Sequence, residues 1–203
     1  MVCQLSKSPH RNAFDRVSRD LKIPWDVKKS LGAGPMLEIK AALYDPQSSS
    51  TALPKFPLAM PRQLGFSFGG LVASVERYIE RAGPESPFSD ASETGGERPA
   101  IAHAFQTAAV WQLEEKVSLA LDRCTRKGVH IRELVVSGGV ASNVYLRNRH
   151  VTLYGGCFST TYSLILVVHR LEAFLEPRGV TTQYPPIEFC TGASQSFSGV
   201  III

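Results

Sequence analysis

The sequence has little cysteine, and its few cysteines are far apart. Four of the 203 residues are cysteine, and no two of them form a CxxC pair. Cysteine-based metal sites depend on such closely spaced pairs, so the spacing argues against a structural zinc site of this kind. Because no signal peptide is recognisable, the sequence predicts a reducing intracellular compartment in which these thiols stay free.

Long apolar runs and a strong net charge are also lacking. No stretch reaches the roughly 18 consecutive apolar residues that suggest a membrane-spanning helix, so we expect no membrane partner. The 22 basic and 18 acidic residues leave a net charge of +4, which allows an acidic partner such as RNA without indicating one. Basic residues gather between Arg123 and Arg132, where solvated helix ends and turns are the simplest explanation.

What is present is enough apolar sequence for a core, arranged mostly with helical spacing. Hydrophobic residues make up 44% of the chain, and the predicted helices cover residues 13–21, 35–44, 71–79 and about 99–127. Pro35 suits a first helical position because its missing N–H costs nothing there. The buried face of the longest helix is predicted to be Phe105, Ala109, Leu113, Val117, Leu121 and Cys124.

Loops and strands are predicted from composition and from runs of β-branched residues. Residues 45–63 are rich in proline and serine and residues 83–98 are poor in apolar side chains, so both are predicted to be mobile loops. A strand is expected over residues 133–136 and another over residues 179–184.

A strand, a glycine turn and a helix follow one another from Glu133 to Arg149. The run ELVV is broken by Ser137-Gly138-Gly139, after which VASNVYLRNR can be helical. Such a unit presents backbone amides and the positive end of a helix to a phosphate. Asn143 falls in the first turn of the helix, within reach of a ligand there. A tight strand–helix turn without any ligand is an equally good interpretation of the pattern.

Six short motifs occur in order along the chain. They are AFDR at 13–16, GAGP at 32–35, FSFGGL at 66–71, IAHAFQ at 101–106, SGGVASN at 137–143 and PPIEFCT at 185–191. Together they resemble the C-terminal half of the tRNA N6-adenosine threonylcarbamoyltransferases, also called threonylcarbamoyladenosine synthases and formerly glycoproteases. The SGGVASN form is similar to the bacterial and mitochondrial branch of that family.

The resemblance implies a fold and a reaction. The fold is α/β, part of an actin/Hsp70-type two-lobed ATPase-like fold, mainly its second lobe, with the first lobe missing. The reaction is transfer of threonylcarbamoyl from threonylcarbamoyl-adenylate to N6 of adenosine 37 in tRNAs that read ANN codons. Intact members bind a divalent metal ion, zinc or iron. The expected partners are tRNA and the adenylate, a homodimer is allowed, and the branch implies a mitochondrial location although no transit peptide is visible.

The resemblance also assigns nucleotide-binding residues. Asp15 would accept hydrogen bonds from the ribose hydroxyls of the adenylate, Gly34 would let the nucleoside approach closely, and Glu38 would assist nearby. From the residues alone, Asp15 and Glu38 could equally be solvent-facing helix residues, and Gly34 a simple helix-entry turn. The remaining assigned residues would face the phosphate or contact the ligand, and they are Gly138, Gly139 and Asn143.

The expected metal ligands are absent from the sequence. The family binds its metal through two histidines of an HxxxH helix and the aspartate of a CTDN motif. No two of the five histidines here are four residues apart, and Gly192 stands at the position of that aspartate. We therefore expect no metal site in this chain, and no catalytic residue is identified.

The departures from the family divide the chain into five parts. Residues 1–11 do not resemble the family, and residues 12–149 resemble its C-terminal lobe. Residues 150–170 form an insertion that does not align, residues 171–191 resume the family pattern, and residues 192–203 are a divergent tail. Our hypothesis is that the insertion and the tail are intron sequence read as coding.

Two functional interpretations follow. The first is a threonylcarbamoyltransferase represented by a truncated chain that is inactive alone. The alternative is a non-catalytic nucleotide-binding or interaction module derived from that enzyme. A protease is excluded because the sequence has no HExxH motif and no plausible Ser/His/Asp or Cys/His arrangement.

Deleting residues 150–170 tests the hypothesis about the insertion. The deletion joins Arg149 to Leu171, so that the predicted helix continues as VYLRNRLEAFLE, and it removes the β-prone apolar run TTYSLILVV. We expect the shortened chain to be more soluble and to unfold at a higher temperature. Abundant mature mRNA that keeps these codons in frame would contradict the intron hypothesis.

Overall fold

The computed structural model describes residues 13–24, 32–45, 52–65, 67–82, 97–137, 175–183 and 199–202. They form helices and strands together, consistent with the predicted α/β class. Their contacts divide them into two compact units. The helical unit contains the described residues between 13 and 61 and between 67 and 112, and the sheet unit contains the rest. Among the described helices, none is both long and apolar enough to cross a membrane.

The helical unit consists of α1 (Ala13–Asp20), α2 (Ala33–Ala42), α3 (Phe68–Ala82) and the first part of α4 (Glu97–Arg126). α1 packs against both α2 and α3. Each buried aliphatic or aromatic side chain of such a core stabilises the fold by about 1.5–3 kcal/mol before entropy is counted. The fully buried members of this core include Val17, Leu37, Val75, Ile101 and Phe105.

Three helices begin earlier than the sequence predicts. α3 begins at Phe68 and not at Leu71, and the Ser67 hydroxyl caps it by accepting the Gly70 N–H at 3.4 Å. Gly32 is the N-cap of α2, so Pro35 is the third helical residue and not the first. Proline is still tolerated there because the N–H groups of a first turn have no partner within the helix. α4 begins at Glu97, so the last two residues of the predicted loop 83–98 are helical. An acidic residue in a first turn is favoured by the helix dipole, which explains the earlier start.

α4 ends in a Schellman motif. Gly128 has a positive φ of 73°, and its N–H donates to the Thr125 carbonyl at 2.9 Å. The N–H of Val129 donates to the Cys124 carbonyl at 3.0 Å. These bonds satisfy carbonyl groups that the helix would otherwise leave unpaired. The predicted buried face of this helix is confirmed, since every one of its members is buried from Phe105 to Cys124.

The sheet unit contains a mixed sheet with strand order β2–β1–β3. β1 (Glu133–Ser137) pairs in parallel with β2 (Thr181–Gln183) and antiparallel with β3 (Gly199–Ile202). β1 is confirmed, and β2 lies within the strand predicted over residues 179–184. β3 was not predicted, because it falls in the tail that the resemblance does not cover, although GVII is a β-prone sequence.

A carboxylate joins a loop to α4 in the sheet unit. Glu115 Oε1 accepts the Arg62 backbone N–H at 2.7 Å, and Oε2 accepts the Lys116 ammonium at 2.6 Å. The Lys116 side chain is fully buried and that of Glu115 is 20% exposed. Burial alone would raise the pKa of Glu115, but the backbone bond from Arg62 and the bond and charge of Lys116 outweigh it and lower this pKa.

We predict that Glu115→Gln destabilises the chain by about 2 kcal/mol, because the substitution weakens two hydrogen bonds to a carboxylate, one of them from a buried ammonium group. The lowered pKa of Glu115 also determines the direction in which the free energy of unfolding changes with pH. The stabilisation from ionised Glu115 is present above the ordinary value of 4.5 and is lost as pH falls through the lower, folded-state pKa.

Denaturant unfolding at pH values from about 3 to about 7, a range that brackets the titration of ordinary carboxyl groups, measures both effects. The matched control is Glu80→Gln, which removes one carboxylate from an exposed position on α3. Equal stability losses in the two variants would contradict this account. So would a Glu115→Gln chain whose free energy of unfolding falls on acidification as much as that of the wild type.

Candidate functional site

Asp15 and Gly34, two of the predicted site residues, are in direct contact within the helical unit. The Gly34 backbone N–H donates a hydrogen bond to Asp15 Oδ1 at 2.7 Å, in a partly buried environment. Asp15 lies in the first turn of α1, and Gly34 is the second residue of α2. Gly32, the N-cap of α2, makes no side-chain capping bond. The Asp15 carboxylate therefore satisfies an N–H group at the start of a helix to which it does not belong.

Gly34 has a packing reason to lack a side chain. A Cβ built at this position would lie 3.2 Å from Asp15 Oδ1 and 3.5 Å from Phe14 Cβ. The first distance is closer than ordinary van der Waals contact, so a side chain here would push the carboxylate away. Phe14 cannot easily yield, since its ring packs edge-on against Phe105 with centroids 5.1 Å apart. Close approach of backbone and carboxylate is thus built into this corner of the unit.

Glu38 lies one helical turn beyond Gly34 on α2 and is half-buried. Residues four apart on a helix share a face, so Glu38 follows Gly34 along that face. The structure therefore places three of the six predicted residues, namely Asp15, Gly34 and Glu38, on neighbouring positions of α1 and α2.

The other predicted site residues, Gly138, Gly139 and Asn143, lie outside the described residues, as does Gly192. β1 ends at Ser137, immediately before the first of them. The predicted strand is therefore confirmed, and the glycine turn and helix that were predicted to follow it stay predictions.

His103 was not predicted as a site residue, although it falls within the IAHAFQ motif. Burial lowers the pKa of its imidazole, and a hydrogen bond to the backbone of Ala41 partly opposes that shift. The ring also lies against Tyr44, with centroids 5.1 Å apart. These contacts tie α4 to the C-terminal end of α2 and favour a neutral imidazole.

Gln106, the last residue of the IAHAFQ motif, was also not predicted as a site residue. Its side chain is 1% exposed, and neither amide atom has a hydrogen-bond partner within the part of the chain that the structure describes. A buried amide without partners costs free energy, so such groups in native proteins usually have a specific reason. Its place at the end of a family motif is the only signal in the sequence.

The described residues do not fit the metal ion that the family implies. Among them, no three side chains of His, Cys, Asp or Glu are grouped so that they could hold a metal. His103, one of two described histidines, already donates to the Ala41 backbone. The expectation that this chain binds no metal stays a prediction, because the position of Gly192 lies beyond the described ranges.

Comparison with known proteins adds an independent line of information. The family model for tRNA N6-adenosine threonylcarbamoyltransferase matches residues 5–192. A protein of that name from Symbiobacterium thermophilum is 31% identical over 179 residues, 88% of this chain and 40% of that protein. A "probable tRNA N6-adenosine threonylcarbamoyltransferase, mitochondrial" from Arabidopsis thaliana is 35% identical over 140 residues, 68% of this chain and 28% of that protein.

A further relative of the same name, from Granulibacter bethesdensis, is 30% identical over 183 residues, which are 88% of this chain and 38% of the relative. The chain thus spans less than half the length of the curated relatives it matches. The match nevertheless runs through all six motifs, from AFDR to PPIEFCT. The chain belongs to the tRNA N6-adenosine threonylcarbamoyltransferase family.

Proposed function

We propose that the protein to which this chain belongs transfers a threonylcarbamoyl group to N6 of an adenosine in tRNA. The observation that carries the proposal is the contact between Asp15 and Gly34. It joins two motifs, AFDR and GAGP, that are 19 residues apart and that both lie inside the family match. The position of the acceptor, adenosine 37 of tRNAs that read ANN codons, is part of the proposal.

The fold proposal is that the chain is mainly the second lobe of an actin/Hsp70-type two-lobed protein. The mixture of helices with a sheet supports it. The substrate proposal is threonylcarbamoyl-adenylate, a mixed anhydride. In the transfer, the exocyclic amine of adenosine forms a bond to the carbamoyl carbon and loses a proton. The bond between that carbon and the phosphate oxygen breaks, and adenosine monophosphate leaves.

Asp15 is proposed to hold the ribose of the adenylate. A carboxylate has about four acceptor positions on its two oxygens, so the bond from Gly34 leaves capacity for two ribose hydroxyls. The same bond fixes the orientation of the carboxylate before a ligand arrives, which reduces the entropy lost on binding. Gly34, without a side chain, keeps the surface beside Asp15 open to a nucleoside.

The remaining assignments are proposals of the same kind. Glu38 is proposed to assist nucleoside binding from the α2 side. The backbone N–H groups of Gly138 and Gly139 are proposed to face the phosphate, with Asn143 in contact with the ligand. No catalytic step is derived through a metal ion, because the described residues do not fit one. A mitochondrial location is supported by the name of the Arabidopsis relative. Formation of a homodimer is a further proposal.

We predict that Asp15→Ala weakens the binding of adenosine monophosphate to the 203-residue chain by about ten- to a hundredfold, as loss of a charge-assisted hydrogen bond implies. Gly34→Ala should weaken binding in the same direction, because the added Cβ displaces the carboxylate. Isothermal titration calorimetry measures both. The 2′,3′-dideoxy nucleotide, which lacks the ribose hydroxyls, should bind both variants and the wild type with similar low affinity.

The matched control is Asp20→Asn, on the same helix but away from Gly34. Burial, followed by the nearby Glu76 charge, raises the pKa of Asp20, with Arg16 and Arg19 opposing. Its ionised form is therefore disfavoured in the folded chain, and the amide should keep or raise stability at neutral pH. If Asp15→Ala weakens binding of the dideoxy nucleotide as much as that of adenosine monophosphate, Asp15 does not bind the ribose.

Disrupting the gene tests the proposed activity in the cell. We expect threonylcarbamoyladenosine to disappear from mitochondrial tRNAs that read ANN codons, while cytosolic tRNAs keep it. Digestion of each tRNA pool to nucleosides followed by mass spectrometry makes the measurement. Restoring the wild-type gene should restore the nucleoside, and restoring the Asp15→Ala form should not. An unchanged nucleoside content in both pools would rule out the proposed activity.

A further inference from the structure

A groove in the sheet unit runs along the last two turns of α4. Its volume is about 420 Å³. Three of its lining residues lie on α4 at positions i, i+4 and i+7, which is one face of the helix, and Lys127 follows directly after the helix on the same side. The other two come from the loop at residues 62–65. We call it the basic groove, and its lining residues are Arg62, Leu64, Leu119, Arg123, Arg126 and Lys127.

Among the described residues that line the basic groove, four carry a positive charge and none carries a negative one. Within the residues that the structure describes, the side chains of Arg123 and Lys127 are exposed and have no hydrogen-bonding or ionic partner. Arg126 donates only to the backbone carbonyl of Asp122, at 3.3 Å. The carboxylate of Asp122 belongs to a neighbouring face of α4, and its Oδ1 lies 3.9 Å from Arg178 Nη2.

The position of Arg62 cannot be explained by the helix dipole. Cations are favoured in the last turn of a helix, which accounts for Arg126 and its neighbours. Arg62 comes from a separate loop and has a positive φ of 61°, in the left-handed region that side chains rarely adopt. Its N–H is held by Glu115 at 2.7 Å. Arg62 is thus a cation that a loop held by Glu115, and not the end of the helix, brings to the same groove as the other three.

We propose that the basic groove binds the phosphate backbone of RNA. Three of its four cations are arginines, whose planar guanidinium groups match phosphate oxygens in pairs. Leu64 and Leu119, which line the same groove, are half-buried, and they offer apolar contacts for ribose and base faces. An RNA strand presents phosphates in a continuous row along a groove, whereas an acidic protein presents scattered carboxylates beside other side chains.

The identity of the RNA as tRNA rests on the proposed function, but the binding surface does not. The groove uses none of the residues assigned to the adenylate. It would hold tRNA through contacts that carry no sequence information and so fix the position of the RNA without selecting a base. Such contacts predict binding that weakens steeply with salt.

The test measures how binding of the 203-residue chain to fluorescently labelled tRNA depends on salt. The groove variant combines Arg123→Gln, Arg126→Gln and Lys127→Gln. The control variant combines Arg19→Gln, Lys55→Gln and Arg81→Gln. It removes the same number of positive charges, from exposed positions in the helical unit. We expect the slope of log affinity against log salt to become shallower by about 2 to 3 in the groove variant only.

A further variant that combines Arg123→Lys and Arg126→Lys keeps the charges and should keep the wild-type slope. Thermal unfolding of every variant shows whether its fold is intact. Equal losses in the groove and control variants would overturn the proposal, as would absence of tRNA binding by the wild type. Displacement of tRNA by polyglutamate as effective as by unlabelled tRNA, at equal charge concentration, would assign the groove to an acidic protein and would also overturn it.

A tRNA with guanosine in place of adenosine 37 separates this proposal from the proposed function. The basic groove should bind it with the same affinity and salt slope, because no phosphate has changed. If disruption of the gene leaves the modified nucleoside in place while the groove variant still loses its slope, the activity is wrong and the RNA surface stands. If disruption of the gene removes the modified nucleoside while the groove variant keeps the wild-type salt slope, the RNA surface is wrong and the proposed activity stands.

Discussion

The continuous apolar face of α4 is the constraint on which both units depend. The helix has 30 residues, a length of about 45 Å at the usual rise. Ile101 and Phe105 belong to the core of the helical unit, and Val117 and Leu121 are buried farther along. A single helix that supplies core residues along its whole length cannot lose its periodicity at any turn without removing a buried side chain. Its spacing was accordingly the strongest secondary-structure signal in the sequence.

Elements with a regular spacing of apolar residues were predicted well from the sequence, and boundaries were predicted less well. The spacing gave α1, α4 and β1 within one or two residues, because burial of one face determines each of them. The starts of α2, α3 and α4 were each predicted two or three residues late, because capping groups and the helix dipole set them and not the apolar pattern. β3 was missed because the tail resembles nothing in the family, and its partner β1 lies far away in sequence.

The candidate site was predictable only in part. Motif resemblance brought Asp15 and Gly34 to attention, but no spacing rule could show that a carboxylate and a backbone N–H 19 residues away are hydrogen-bonded. Glu115, Lys116 and Gln106 were missed for a related reason. On a helix, a buried charge or amide looks the same in sequence as a solvated one, and only the tertiary contacts distinguish them.

The bond between Asp15 and Gly34 has a consequence for how this family segment can change over time. One carboxylate serves as the heterologous cap of α2 and as the group assigned to a substrate hydroxyl. A mutation there would alter folding and recognition in one step, so neither property could drift while the other stayed fixed. Gly34 is subject to the same condition, since a Cβ at this position would lie 3.2 Å from Asp15 Oδ1, the atom that accepts the Gly34 N–H. Because the bond supports the fold in the absence of any ligand, its loss would cost stability even in a chain without catalytic activity.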